Sequence, residues 1–397
     1  MSKLILLIVL AIFISAQNVR LSDKPFKKDG VKLTVLGTMQ DEEEGFYQTI
    51  DTSVSEDGKV AILDRGNKLI HVYTKTGTPI VTFGKEGTGP GELTNAGRIF
   101  AFNDRVLIQN FDRIMMFDYT GKLINEIKER TNGASIYKTS GGFKYVFDGK
   151  GRPNPILSKE FDLDGKKIEE VMDPNFAERS KLMPKSPEDF MKRMPQLMKL
   201  MFEAPTDLTQ YGDGYIRHYQ GEYRFEKLDK NMNVTATITR PFMRVKDSNN
   251  QLETARKRMQ SRNVPEAQMK QQLAMMQARI TEMAKHNKGF KNDIQEIVGS
   301  YKGYVFLSVA SSKDTNLANG VMTDGGARDM QIDVISPDNK LYTTIDIATL
   351  DIENMEDLNW ITIIENKMVF EMQNDEDGPY VKLINIEINE PSIIAGN

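Results

Sequence analysis

The chain has 397 residues, 39% hydrophobic and 27% charged, so disorder is not the default and one small core would not hold it; it is several domains or one large repetitive domain. Lys+Arg total 52 and Asp+Glu 56, and a net charge of -4 gives no overall field to draw in nucleic acid. Cysteine is absent, which excludes disulfides, thiolate metal sites, a cysteine nucleophile and a cysteine-linked lipid.

The chain begins "MSKLILLIVLAIFISAQN": one Lys, an apolar run from Leu4 to Ile14, then the small residues Ser15 and Ala16. The run is short for a membrane span of roughly 20 residues, and the pattern is that of a signal peptide over residues 1–16, cut between Ala16 and Gln17. An uncleaved anchor is the alternative. The reading places the protein outside the cytoplasm, in the periplasm, the cell envelope or beyond. No later stretch would span a bilayer. An exported chain without disulfides is held by its core alone, which favours a large domain.

After an orphan strand, "GVKLTVLGT", the chain repeats. "VAILDRGNKLIHVYTKTGTPIVTF" and "VLIQNFDRIMMFDYTGKLINEI" each read as strand, polar loop, strand, tight turn, strand. The tight turns "TKTG", "DYTG" and "DLDG" align, with Asp or Thr opening and Gly closing where φ is positive. The closing glycines Gly77, Gly121 and Gly165 are 44 residues apart each time, the period of one four-stranded propeller blade. Looser copies follow at Tyr215–Ile238, Tyr304–Ile347 and Met368–Ile388, the last one strand short. Residues 17–397 are therefore expected to form an all-β, six-bladed β-propeller, with the orphan N-terminal strand closing the ring and removing its free edges.

Between the first two copies lies "FGKEGTGPGEL", with four glycines. A Walker loop would need Lys-Ser or Lys-Thr after them; a dinucleotide loop would need a third glycine where Glu92 stands, and a helix where a strand follows. The loop is read as a connector between blades. With "RIMMFDYTGKLI", it resembles NHL-type and TolB-like six-bladed propellers over about Asp51–Ile127, and beyond that only the strand rhythm persists. The resemblance implies an extracytoplasmic six-bladed propeller. Related propellers include binding scaffolds, lyases, lactonases and metal-dependent hydrolases, so it speaks for fold and not for reaction.

Two insertions break the β rhythm, between blades 3 and 4 (172–205) and between blades 4 and 5 (246–292). In the first, Ser186 caps a helix, Pro195 kinks or splits it, and Met191, Met194, Met198 and Met201 share one face. The second is a helical hairpin turning at Asn263–Pro265, with Met269, Leu273, Met276, Ile280 and Met283 along one side of its second helix. Packing of these stripes on the propeller is the leading reading, since Met fills irregular gaps. A groove for a hydrophobic partner and thioether binding of copper(I) are the alternatives.

In a propeller, connectors between blades and loops between second and third strands open on one face. The insertions and the glycine-rich loop belong there, together with the candidate binding residues Asp64, Arg65, Asn67, Asn110, Asp112, Arg113, Asp148 and His218. Asp64, Asn110 and Asp148 sit at equivalent places in successive blades and would suit an oxygen-liganded Ca2+ at the channel mouth; the bland reading is that Asp and Asn open turns. His71, His218 and His286 are scattered on different elements, and no G-x-S-x-G elbow supports a serine triad. The expectation is an exported monomeric binding or scaffold module with a protein or peptide partner. The rival is a lactonase-like metal-dependent hydrolase or lyase.

Overall fold

The computed structural model describes residues 16–40, 45–47, 50–110, 112–129, 134–139, 141–147, 155–173, 176–182, 186, 189, 193, 205–242, 251–261, 265–288, 290–310, 316–318, 321–323, 331–374 and 378–389. Two strands lead, β1 (Gln17–Arg20) and β2 (Val31–Met39). Blade 1 is β3 (Ile50–Val54), β4 (Val60–Asp64), β5 (Leu69–Tyr73) and β6 (Pro79–Phe83). Blade 2 is β7 (Arg98–Ala101), β8 (Arg105–Gln109), β9 (Ile114–Asp118) and β10 (Leu123–Ile127). Blade 3 is β11 (Ala134–Thr139), β12 (Gly142–Phe147), β13 (Ile156–Asp162) and β14 (Lys167–Met172), followed by the short helix α1 (Phe176–Leu182).

Blade 4 is β15 (Pro205–Tyr211), β16 (Gly214–Tyr219), β17 (Arg224–Leu228) and β18 (Val234–Thr239); α2 (Gln251–Ser261) and α3 (Glu266–Asn287) follow, packed on each other. Blade 5 is β19 (Ile294–Tyr301), β20 (Tyr304–Val309), β23 (Gln331–Ile335) and β24 (Leu341–Asp346), with the small hairpin β21 (Asn316–Ala318) and β22 (Val321–Thr323) set into it. Blade 6 is β25 (Leu358–Ile364), β26 (Lys367–Asn374), β27 (Gly378–Ile388) and, outermost, β2. The fold is a six-bladed β-propeller.

The middle strands explain their own sequences. β4, "VAILD", is buried at every position because blades cover both of its faces, so it reads as a continuous apolar run. The outer strand β14, "KIEEVM", is almost wholly exposed and correspondingly charged. Among the described residues the buried hydrophobics fall into six clusters, one at each seam between adjacent blades. The seam between blades 3 and 4 is the poorest: its buried members are Tyr137, Val146, Tyr215 and Leu228.

The 44-residue glycines serve this packing. Gly77, Gly121 and Gly165 all have positive φ, and a Cβ at each would strike the outer strand of the preceding blade. It would meet the Thr38 carbonyl oxygen at 2.2 Å, the Phe83 Cβ at 2.7 Å and the Asn125 amide nitrogen at 2.6 Å respectively. The period thus records a turn that must also nest against its neighbour. In blades 4 and 5 the same place is held by Met232 and Asn339, both with positive φ.

Residues 17–39 lie along the outer edges of three blades. β1 pairs parallel to β18 of blade 4; the Phe26 and Lys27 amides donate to the Leu341 and Tyr342 carbonyls of blade 5; β2 pairs antiparallel to β27 of blade 6. Leu21 is buried in the seam between blades 4 and 5. Arg240 pins the same segment, donating to the Asp23 carbonyl at 3.0 Å while paired with the fully buried Asp333. Asp333 also accepts from the Tyr223 hydroxyl at 2.9 Å and the Thr344 hydroxyl at 2.7 Å.

Candidate functional site: the central channel

The six inner strands, β3, β7, β11, β15, β19 and β25, surround a cavity of about 1140 Å³. Side chains stitch the ring where backbone pairing stops. The Ile99 and Ala101 amides of blade 2 donate to Asp51 (2.7 Å) and Ser53 (2.9 Å) of blade 1. Between blades 3 and 4 the Tyr137 hydroxyl donates to the Leu208 carbonyl (2.8 Å), and the Gln210 side chain to the Lys138 carbonyl (3.1 Å). These bonds fix the wall from which the channel's polar groups project.

Near the loop face, three blades contribute a charged cluster. Asp51 comes from β3, Arg65 from the β4–β5 loop, Arg98 from the start of β7 and Glu371 from β26; all line the cavity. An Arg65 nitrogen lies 3.4 Å from Asp51, and the same guanidinium donates through Nε to the Gly97 carbonyl at 3.1 Å. Arg98 is differently placed. Its Nε is 4.0 Å from Asp51, its guanidinium lies 5.5 Å from the Phe100 ring centroid, and it donates no hydrogen bond to a described residue. Its side chain is 54% exposed, within the channel mouth.

Burial raises the Asp51 carboxyl, against the pull of Arg98, the Ile99 amide and Arg65. Glu371 is pushed up to about 7, first by burial and then by the Asp51 charge; the Thr52 hydroxyl and the two guanidiniums work the other way. A carboxyl that holds its proton near neutrality thus sits beside one tied to arginine. Trp360, the chain's single tryptophan, stands opposite Glu371 in the β25–β26 register and lines the same cavity.

Toward the other end, Lys138 of blade 3 crosses the channel. Its ammonium donates to Glu365 of the facing blade 6 at 2.9 Å and to the Val54 carbonyl of blade 1 at 2.8 Å, 5.4 Å from the Phe102 ring centroid. Burial lowers its pKa, opposed by Glu365. Three blades are tied here by one side chain.

Of the residues singled out in the sequence, Arg65 reaches the channel cluster. Asp64 is fully buried and accepts from the Tyr47, Gly66 and Asn67 amides (2.8, 2.9 and 3.0 Å) and from the Asn67 side chain (3.0 Å), so it builds the β4–β5 loop. Asn110 is buried and accepts from the Asn95 amide at 3.0 Å. Arg113 pairs with Asp112 and Glu126 and donates to the Thr88 and Gly89 carbonyls. His71 and His218 are buried within blades 1 and 4.

Met269 and Met276 are half-buried and Ile280 is buried, on one side of α3. The Ser186 hydroxyl accepts from the Asp189 amide at 3.1 Å. Asp148, Met191, Met194, Met198 and Met201 lie outside the described residues, as does the side chain of Met283. Among the described residues, no three His, Asp or Glu converge in a way that could hold a metal ion.

The glycine-rich loop binds itself. Glu92 accepts from the Gly89 amide at 2.9 Å and pairs with Lys85 at 2.6 Å, while the Thr94 hydroxyl donates to the Gly87 carbonyl. The side chain at the missing third glycine position is the anion this loop cradles.

Asp51, Arg98, Glu371 and Trp360 escaped the sequence reading because they come from inner or second strands rather than loops. The available signal was a charge inside a strand otherwise built for burial: "IDTSV", "RIFA", "MVFEMQN".

A family model described as 6-bladed beta-propeller matches residues 38–187. No curated protein matches the chain. Among solved structures, the chain is similar to a Bacteroides fragilis protein named for its inferred export: 10% identity, 94% of this chain and 100% of that one, TM-score 0.51. A Bacteroides vulgatus member of the DUF4221 family gives 9% identity, 91% and 100% coverage and a TM-score of 0.48. Virginiamycin B lyase from Staphylococcus aureus gives 12% identity, 89% and 99% coverage and a TM-score of 0.39. At these identities the likeness is one of fold. No helix among the described residues is long and apolar enough to cross a membrane.

Proposed function

We propose that this chain is an exported binding module, released by cleavage near Ala16, whose single propeller (residues 17–397) takes a small polar ligand into the central channel. The observation that carries this reading is the cavity of about 1140 Å³ with Asp51, Arg65, Arg98 and Glu371 gathered at one end. A concave site on a rigid wall, with a few convergent polar groups and a perturbed carboxyl, is the usual form of a ligand site. The α2–α3 hairpin would then flank the entrance as a lid or a docking arm for a protein partner.

A hydrolase or lyase is the second reading. Glu371, pushed up to about 7 by burial and by the neighbouring Asp51, is a carboxyl of the kind that can give up a proton to a substrate near neutral pH. The ligand site would in that case hold the substrate.

The test is a thermal-shift screen of small polar compounds on the chain from Gln17 onward, each hit titrated by Trp360 fluorescence. Ser135→Tyr, which narrows the channel from blade 3, is expected to abolish binding of true channel ligands. Hits that bind the Ser135→Tyr protein as well as the parent would place the site elsewhere and overturn the proposal.

A further inference from the structure

Building on the channel-binding reading, we infer that the ligand is a small carboxylate, held between the guanidinium of Arg98 and the carboxyl of Glu371. Arg98 presents its donor fork to the channel with one long ion pair and no hydrogen bond to a described residue. Its neighbour Arg65 is committed to the Gly97 carbonyl and to Asp51. A planar fork with open donors matches a carboxylate two bonds at a time.

The charge balance favours one negative group. Asp51 offsets one of the two guanidiniums, and Glu371 in its acid form offsets none. Among these four groups one anionic ligand offsets the remaining guanidinium, whereas a cation would add to two arginines. The groups facing Glu371 are Asp51 and Thr52 on β3, Arg65 on the β4–β5 loop, Arg98 on β7 and Trp360 on β25, and Glu296 of β19 lines the same cavity. As an acid, Glu371 donates an O–H to the bound carboxylate; once ionised, it repels it. Binding is thus coupled to proton retention at Glu371. Burial, and after it the Asp51 charge, already hold that proton to about pH 7, and a second anion holds it further.

The experiment uses three probes of one shape, benzoate, benzamide and benzylamine, titrated into the chain from Gln17 onward by Trp360 fluorescence and calorimetry. Benzoate is expected to bind saturably, with affinity falling about tenfold per pH unit above about 7, as one coupled proton requires. Arg98→Ala should weaken benzoate by tenfold or more. Glu371→Gln should keep binding and remove the pH dependence, which also guards against an Arg98 variant that merely misfolds. Binding of benzamide or benzylamine in preference to benzoate would overturn the carboxylate assignment and leave the channel-binding reading standing. Benzoate binding that ignores both substitutions would overturn the assignment to these residues. Saturation by none of the three, at concentrations up to those where benzoate itself perturbs the fold, would overturn the carboxylate assignment, while the channel-binding reading stands or falls with the Ser135→Tyr screen.

Discussion

Asp64→Ala removes an acceptor that four donors share. The carboxylate is fully buried at the end of β4 and holds the Tyr47, Gly66 and Asn67 amides and the Asn67 side chain at 2.8–3.0 Å. Hydrogen bonds to a charged group contribute about 1.5–3 kcal/mol each, and a buried donor left alone costs about 1–3 kcal/mol. Gly66 is half-buried and Asn67 exposed, so part of that loss returns through water. The expected destabilisation is therefore about 3 kcal/mol rather than the sum of four bonds. In a domain this large, with an unfolding entropy of about 2.1 cal/mol/K per residue, that lowers the melting temperature by about 4 °C. Asp64→Asn should fall between, since its amide turns a donor toward donors. Thermal melts of the three proteins, with 5 mM CaCl2 and with EDTA, decide it. A variant melting within 1 °C of the parent would refute the loop-building role. So would calcium that stabilises the parent and not the variant, because Asp64 would then be a metal ligand.

Four further outcomes follow from the same packing. Glu371→Gln should raise the melting temperature more at pH 8 than at pH 5: the folded chain retains the Glu371 proton to about 7, so the parent loses stability as pH rises from the ordinary carboxylate range to that value, by on the order of 3 kcal/mol, and glutamine does not. Equal shifts at both pH values would contradict it. Gly77→Ala should cost about 3 kcal/mol or more by urea titration and Gly212→Ala about 1, because both have positive φ but a Cβ at Gly77 strikes the Thr38 carbonyl while one at Gly212 meets open space. Leu21→Ala should cost about 2–4 kcal/mol, and an unchanged urea midpoint would mean the leading segment is not docked in the seam between blades 4 and 5. Hydrogen exchange should be faster for the β11 and β15 amides than for β3 and β7, since among the described residues the seam between blades 3 and 4 buries the smallest cluster; uniform protection would dispose of that ranking.

The sequence announced the outer part of each blade more clearly than the inner part. The "TKTG", "DYTG" and "DLDG" turns repeat because Gly77, Gly121 and Gly165 answer to two constraints together, a positive φ and a close neighbour. In blade 4 the place is taken by Met232, which keeps the positive φ and packs against the cluster between blades 3 and 4, and the glycine period fades while the strand rhythm survives. The polar loop residues were visible for the same local reason: Asp64 and Asn110 are turn builders. Their chemistry was legible, but a carboxylate that folds a loop and one that binds an ion look alike until the donors around it are known.

The channel cluster was illegible for a reason built into the architecture. Asp51, Arg98 and Glu371 are brought together from blades 1, 2 and 6, and each is a charge set among mostly buried strand residues. A ring makes its first and last blades neighbours, so the groups most distant along the chain are those that meet at the closing seam. The seams between blades hold the ring together through residues such as Ile50, Val298 and Ile361 of the inner strands, while Asp51 and Arg98 of those strands line the channel. Positions that face the channel can therefore carry groups that the seams would forbid. In a fold whose period is enforced by stability, residues that break the period toward the channel are where function has room to reside.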